Sequence, residues 1–286
     1  VRPLREGTFT LRPVRATWRD ERGRRVAVRG PSADIVVLAR EELPLAGRAE
    51  ELAGLLACLD AAARGSFAVI LSRRGLGKSR LAREVASAAM ARGVAVARGR
   101  CLDRGVEVRG ALKEALRGLL ALPGGRGGAA ETAAALVALL GDTARSDGRL
   151  VDFLTAELLG LPLPRGESPG VMWGRLASAL GRRRPLLLVL EDVQRDPDVA
   201  NIALQMAAHA AHSGAEVMAL VTARSDLEES EAGGDFLDRV RRLSEQVGCA
   251  RVVRLEPLAD DDVAAMVDEL LAPNDLAASA AWLPGR

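Results

Sequence analysis

Tyrosine is absent from these 286 residues, and phenylalanine and tryptophan bring the aromatic share to only 2%. Single-stranded nucleic acid is normally held on aromatic stacking platforms, so that class of binder is disfavoured. Cysteine is scarce: Cys58, Cys101 and Cys249 are far apart and odd in number. They match neither a metal-ligand spacing nor a disulfide framework, and a reducing compartment is the expectation. Long apolar runs are also missing. Ala133–Leu140 is among the longest and is far too short to span a bilayer, so a cytoplasmic chain without a membrane partner is expected. No excess of one charge sign exists either, since 40 basic residues face 38 acidic ones. Nothing in that balance calls for nucleic acid or an acidic partner, and nucleic acid is expected to be an unlikely partner. The chain opens on Val1 rather than Met and reads as a fragment, so a missing targeting signal excludes nothing.

What is present is a chain 49% hydrophobic and 27% charged. That is enough for one large α/β domain and a smaller piece. Residues 1–42 read as a short β-rich segment. Thr8–Trp18 and Arg24–Val28 flank Asp20-Glu21-Arg22-Gly23 as a hairpin, with Ile35–Leu38 as a further strand. From Leu43 strands alternate with helices. Arg48–Ala62 carries Leu52, Leu55, Leu56 and Leu59 on one helical face. Apolar strands are expected at Phe67–Leu71, Val94–Ala97, Leu186–Leu190, Glu216–Thr222 and Arg251–Leu255, with a mostly helical stretch over 109–182. Such alternation predicts an α/β fold with a parallel sheet covered by helices. Residues 43–256 form this core, and residues 257–286 begin a helical piece.

One strand runs into Ser72-Arg73-Arg74-Gly75-Leu76-Gly77-Lys78-Ser79. The phosphate-binding pattern is G-x-x-x-x-G-K-[ST], so a serine stands where its first glycine belongs. In such a loop, backbone N–H groups and the positive end of the next helix surround phosphate oxygens. Lys78 would reach the β- and γ-phosphates and Ser79 would ligate Mg²⁺, with Arg74, Gly75, Leu76, Gly77 and Arg80 lining the site. Ser72 would cost on the order of 1 kcal/mol if a positive φ were needed there.

A second strand ends in two acids. Leu186–Leu190 leads into Glu191 and Asp192, with Glu191 expected on the Mg²⁺ side and Asp192 orienting the attacking water. A third strand ends at Thr222 and Arg224. Carboxyl ends of parallel strands line the ligand crevice, so Arg224 is expected to read the γ-phosphate.

With these residues in place, the chain resembles the AAA-type nucleotide-binding domain of the signal-transduction ATPases with numerous domains, the STAND class. Leu45-Ala46-Gly47-Arg48-Ala49-Glu50-Glu51-Leu52 is similar to that class's entry motif. The resemblance implies Leu45 and Arg48 over the adenine. Gly75–Leu81 looks like its G-x-G-K-S-R-L loop, Val96–Cys101 its second strand, and Arg254-Leu255-Glu256-Pro257-Leu258 the link into a helical lid. It implies a P-loop NTPase fold, ATP/ADP and Mg²⁺ as cofactors, slow hydrolysis, protein partners through domains outside this fragment, and a homo-oligomer. Three departures stand out: Ser72 for glycine, Glu191 for the usual Asp, and Gln194-Arg195 where a His-Trp pair often follows. These departures favour one alternative to a regulatory ATP switch, a pseudo-ATPase scaffold with structural nucleotide; the entry motif and loop also resemble those of a second alternative, a DNA-associated AAA+ protein of origin-recognition type.

Overall fold

The computed structural model describes residues 45–102, 107–120, 128–166, 168–225, 231–243 and 245–271, and the backbone of four strands within residues 7–37. The chain divides into two compact units, Val1–Ala46 with Asp260–Arg286, and Gly47–Ala259. In the smaller unit β1 (Gly7–Leu11) pairs antiparallel with β4 (Ala33–Val37), and β2 (Arg15–Arg19) with β3 (Arg25–Arg29). The expected hairpin is the β2–β3 ladder. Its first arm, read as one strand over Thr8–Trp18, is two strands with different partners.

The larger unit is built on five parallel strands, β5 (Ser66–Ser72), β6 (Ala95–Arg100), β7 (Leu186–Glu191), β8 (Val217–Arg224) and β9 (Cys249–Arg254), in the order β6-β7-β8-β5-β9. All seven residues of β5 are buried, as are the first five of β7 and the first seven of β8. Burial on both faces explains their unbroken apolar runs, because a central parallel strand has no solvent face. Around the sheet lie α1 (Ala49–Asp60), α2 (Lys78–Ala91), α3 (Gly110–Leu120), α4 (Ala129–Leu140), α5 (Asp142–Ser146), α6 (Gly148–Leu159), α7 (Pro169–Arg183), α8 (Pro197–Ser213) and α9 (Glu231–Leu243). α10 (Asp260–Leu271) belongs to the smaller unit. The fold is an α/β P-loop NTPase fold. The acidic strand β7 is not next to the phosphate-loop strand: β8 lies between them.

Two local features secure this arrangement. Gly99 on β6 faces α3 so closely that a Cβ would lie 1.8 Å from the Ala111 carbonyl oxygen. α7 and α8 also pack tightly: a Cβ on Gly174 would meet the His209 ring at 3.0 Å, and Ser178 Oγ hydrogen-bonds His209 Nδ1 at 2.8 Å. His209 therefore serves helix packing.

The cysteine expectation is corrected. Cys58 on α1 and Cys249 on β9 form a disulfide, their Cα atoms 5.3 Å apart. A separation of 191 residues hid the pair, because only the docking of α1 on β9 brings the two together. The reducing-compartment expectation loses the basis it had in unpaired cysteines. Cys101 is a buried free thiol, pushed up to about 12 mainly by that burial. Among the described residues no helix is long and apolar enough to cross a membrane.

Candidate functional site

Because the strands are parallel, their carboxyl ends converge on one edge. Ser72 on β5 stands opposite Arg224 on β8, and Glu191 on β7 opposite Arg100 on β6. The turn after β5 leads directly into α2, whose first residue is Lys78. Gly75 and Gly77 have φ of 90° and 93°, and a Cβ on either would meet nothing within 4 Å. The left-handed backbone, and not crowding, is what demands glycine there. The turn lines a cavity of about 290 Å³ at the N-terminus of α2. Six of its lining residues are cationic (Arg74, Lys78, Arg80, Arg100, Arg195 and Arg224), and one, Asp192, is acidic. Helix dipole, backbone N–H groups and side-chain charge all favour an anion here.

Ser72 carries no positive φ. It is the last residue of β5 and only 3% exposed, so the conformational cost expected for replacing glycine does not arise. Its hydroxyl donates to the Arg73 carbonyl at 2.8 Å and accepts from Lys78 Nζ at 3.1 Å. Lys78 Nζ also donates to the carbonyls of Ser72 and Arg73, both at 3.0 Å.

Ser79 Oγ donates to Glu191 Oε2 at 2.5 Å, so the two residues expected at the metal lie together although β8 separates β7 from the strand that leads into α2. A hydroxyl and a carboxylate are hard oxygen donors suited to Mg²⁺, which commonly uses one or two protein ligands beside phosphate oxygens. The described residues hold no cluster of three or more His, Cys, Asp or Glu that would form an all-protein cage. The donor set thus fits Mg²⁺ carried with a nucleotide.

Asp192 is one of two described non-glycine residues with positive φ, at 60°. Its N–H donates to Thr222 Oγ1 at 3.1 Å, so the buried Thr222 hydroxyl supports the acidic turn. Arg224 lines the cavity, and its N–H donates to Gln194 Oε1 at 3.3 Å. Two further residues went unassigned in the sequence reading. Arg98 pairs with Glu191 Oε1 at 3.0 Å, and Arg100 with Asp192 Oδ2 at 2.8 Å. The hydrogen bond and charge of Asp192 raise the pKa of the Arg100 guanidinium above its ordinary value. The available signal was their i, i+2 spacing, which puts both side chains on one face of β6.

The entry-motif residues sit elsewhere. Arg48 is buried; it pairs with Glu51 at 2.9 Å and donates to the Glu256 carbonyl, tying the start of α1 to the segment after β9. Leu45 belongs to the smaller unit. Neither lines the cationic cavity. A second cavity, of about 370 Å³, shares Ser72, Arg73 and Leu76 with the turn and extends to Arg254, Leu255, Glu256 and Pro257. Arg80 also pairs with Glu84 along α2 at 2.6 Å.

Comparisons with solved structures return several matches at low identity. Cdc6p from Pyrobaculum aerophilum matches at 18% identity and a TM-score of 0.44, over 82% of this chain and 52% of that one. The Aeropyrum pernix ORC1 protein, solved in complex with DNA, matches at 19% identity and a TM-score of 0.39, over 79% and 50%. Domain III of the Thermotoga maritima replication initiation protein DnaA matches at 13% and 0.43, over 82% and 72%. The chain spans about half the length of the first two. No curated protein matches. The ORC1–DNA complex overturns the expectation that nucleic acid is an unlikely partner. That expectation rested on a net charge of +2, which averages over the chain and says nothing of how charge is distributed on its surface, and on scarce aromatics, which bear only on single strands. A family model described as AAA ATPase domain matches residues 44–221, more than half of the chain, and the chain belongs to that family.

Proposed function

We propose that this chain is the ATP-binding core of a nucleotide-dependent switch that hydrolyses ATP slowly with Mg²⁺. The observation that carries this is the cationic cavity at the strand ends, where Lys78, the Ser79–Glu191 pair, Asp192 and Arg224 surround one helix N-terminus. In this reading the backbone N–H groups of residues 74–79 cradle the phosphates, and Lys78 contacts the β- and γ-phosphates. Ser79 and Glu191 would hold Mg²⁺, which when bound offsets the charge of the phosphate oxygens. Asp192 would orient water, and Arg224 would distinguish ATP from ADP. Leu45 and Arg48 are proposed near the adenine. Residues from 257 onward would begin the lid.

A pseudo-ATPase scaffold is the second reading, favoured by one observation: Arg98 and Arg100 already occupy both site carboxylates. The output of the switch is a further proposal. The STAND-type signalling reading, with partners on further domains and a homo-oligomer, rests on the sequence motifs. With the objection to nucleic acid withdrawn, a DNA-associated AAA+ role stands beside it.

Nucleotide retained by the purified protein, followed by single-turnover hydrolysis, tests the main reading. Retained ATP or ADP with turnover above that of Lys78→Ala supports the switch. Retained nucleotide without turnover supports the scaffold. Duplex DNA binding that changes between ATP and ADP would assign the DNA-associated output.

A further inference from the structure

Ser72 is the residue by which this chain departs from the phosphate-loop pattern, and its hydroxyl has a specific neighbour. It lies 3.1 Å from Lys78 Nζ, in line to accept from the ammonium, because its own hydrogen is donated to the Arg73 carbonyl. Glycine at this position offers no such acceptor. Lys78 Nζ also reaches the Ser72 and Arg73 carbonyls, so at least three oxygens of the turn share its three N–H donors. We infer that Ser72 is a positioning residue for Lys78: its hydroxyl engages an N–H of the ammonium that a phosphate oxygen would otherwise take, so the hydroxyl and the nucleotide compete for the lysine. This rests on the phosphate-site reading above.

The reasoning is one of competition. The two carbonyls are fixed by the backbone at the end of β5. The hydroxyl is the acceptor that a single side-chain rotation removes. A neutral hydroxyl is also a weaker acceptor for an ammonium than an anionic phosphate oxygen, so the exchange runs towards nucleotide. A bond that must be given up for a phosphate contact weakens nucleotide affinity by its own net worth. That sets the size of the effect, about threefold to tenfold in affinity.

The experiment is a double-mutant cycle between Ser72 and Lys78, read by calorimetric binding of ATP, ADP and AMP. Ser72→Ala removes the hydroxyl and leaves less volume in a buried place, so the fold is retained. It should tighten ATP and ADP by about threefold to tenfold and leave AMP unchanged, because the lysine does not reach the α-phosphate. Ser72→Gly should match Ser72→Ala. In the Lys78→Ala background Ser72→Ala should change nothing. Unchanged or weaker ATP binding by Ser72→Ala overturns the inference. So does a gain confined to Ser72→Gly, which would assign the effect to backbone freedom, or an equal gain in the Lys78→Ala background. Should Lys78→Ala itself leave ATP affinity intact, the phosphate-site reading fails, a result distinct from failure of the Ser72 inference alone.

Discussion

At Asp192 backbone and side chain are constrained separately. Its φ of 60° lies in the left-handed region, which Asp and Asn enter more easily than other non-glycine residues. Asp192→Asn should therefore keep the turn while removing the charge. The expected outcome is loss of single-turnover hydrolysis with ATP affinity retained, checked by quenched-flow assay and calorimetry. Arg100 offers the complementary test. Its pair with Asp192 leaves the arginine side chain 60% exposed, so solvent screening limits its worth to a fraction of about 1 kcal/mol. Arg100→Ala should hardly move the denaturation midpoint yet raise turnover severalfold, because Asp192 is no longer held. A fall in turnover would make Arg100 a phosphate contact instead. Ser79 and Glu191 could be paired from the sequence because motif residue types announce them. Arg98 and Arg100 could not, because their partners are set by the register that places Arg100 across from Glu191.

Between elements, small residues decide how closely helices approach. Gly99→Ala would drive a Cβ into the Ala111 carbonyl, a backbone atom that cannot rotate away. The variant should lose about 2 kcal/mol or more in chemical denaturation, since overpacked contacts force backbone shifts. The α7–α8 contact adds a pH dependence. Burial first, then Arg175, Arg182 and His212, depress the His209 imidazole below its ordinary 6.5. The folded protein then binds fewer protons at this site than the unfolded chain does. The stability held above about pH 6.5 is lost as pH falls through the folded value. Compared with His209→Gln, the wild type should be more stable at about pH 7.5, and the gap should shrink at about pH 5.5. A constant gap would contradict this. At this scale the sequence reads well where local chemistry sets the element. The helix that periodicity places over Arg48–Ala62 forms as α1, Ala49–Asp60. Strand ends are less legible: Ser72 and Arg224 extend their strands because they pair with each other, information that lies in the partner and not in the run.

For the molecule as a whole, alternating strands and helices reveal a parallel α/β sheet, but no local period encodes strand order. That β8 separates the phosphate-loop strand from the acidic strand emerges only from the packed sheet, and so does the disulfide joining α1 to β9. The same convergence gathers residues more than a hundred positions apart at one helix N-terminus. The claim that this convergence is a nucleotide site is tested most directly by calorimetric titration of ATP into the wild type and into Lys78→Ala. Loss of a charge-assisted phosphate contact predicts binding at least about tenfold weaker in the variant, about 1.4 kcal/mol. Equal affinity in the two proteins would contradict it.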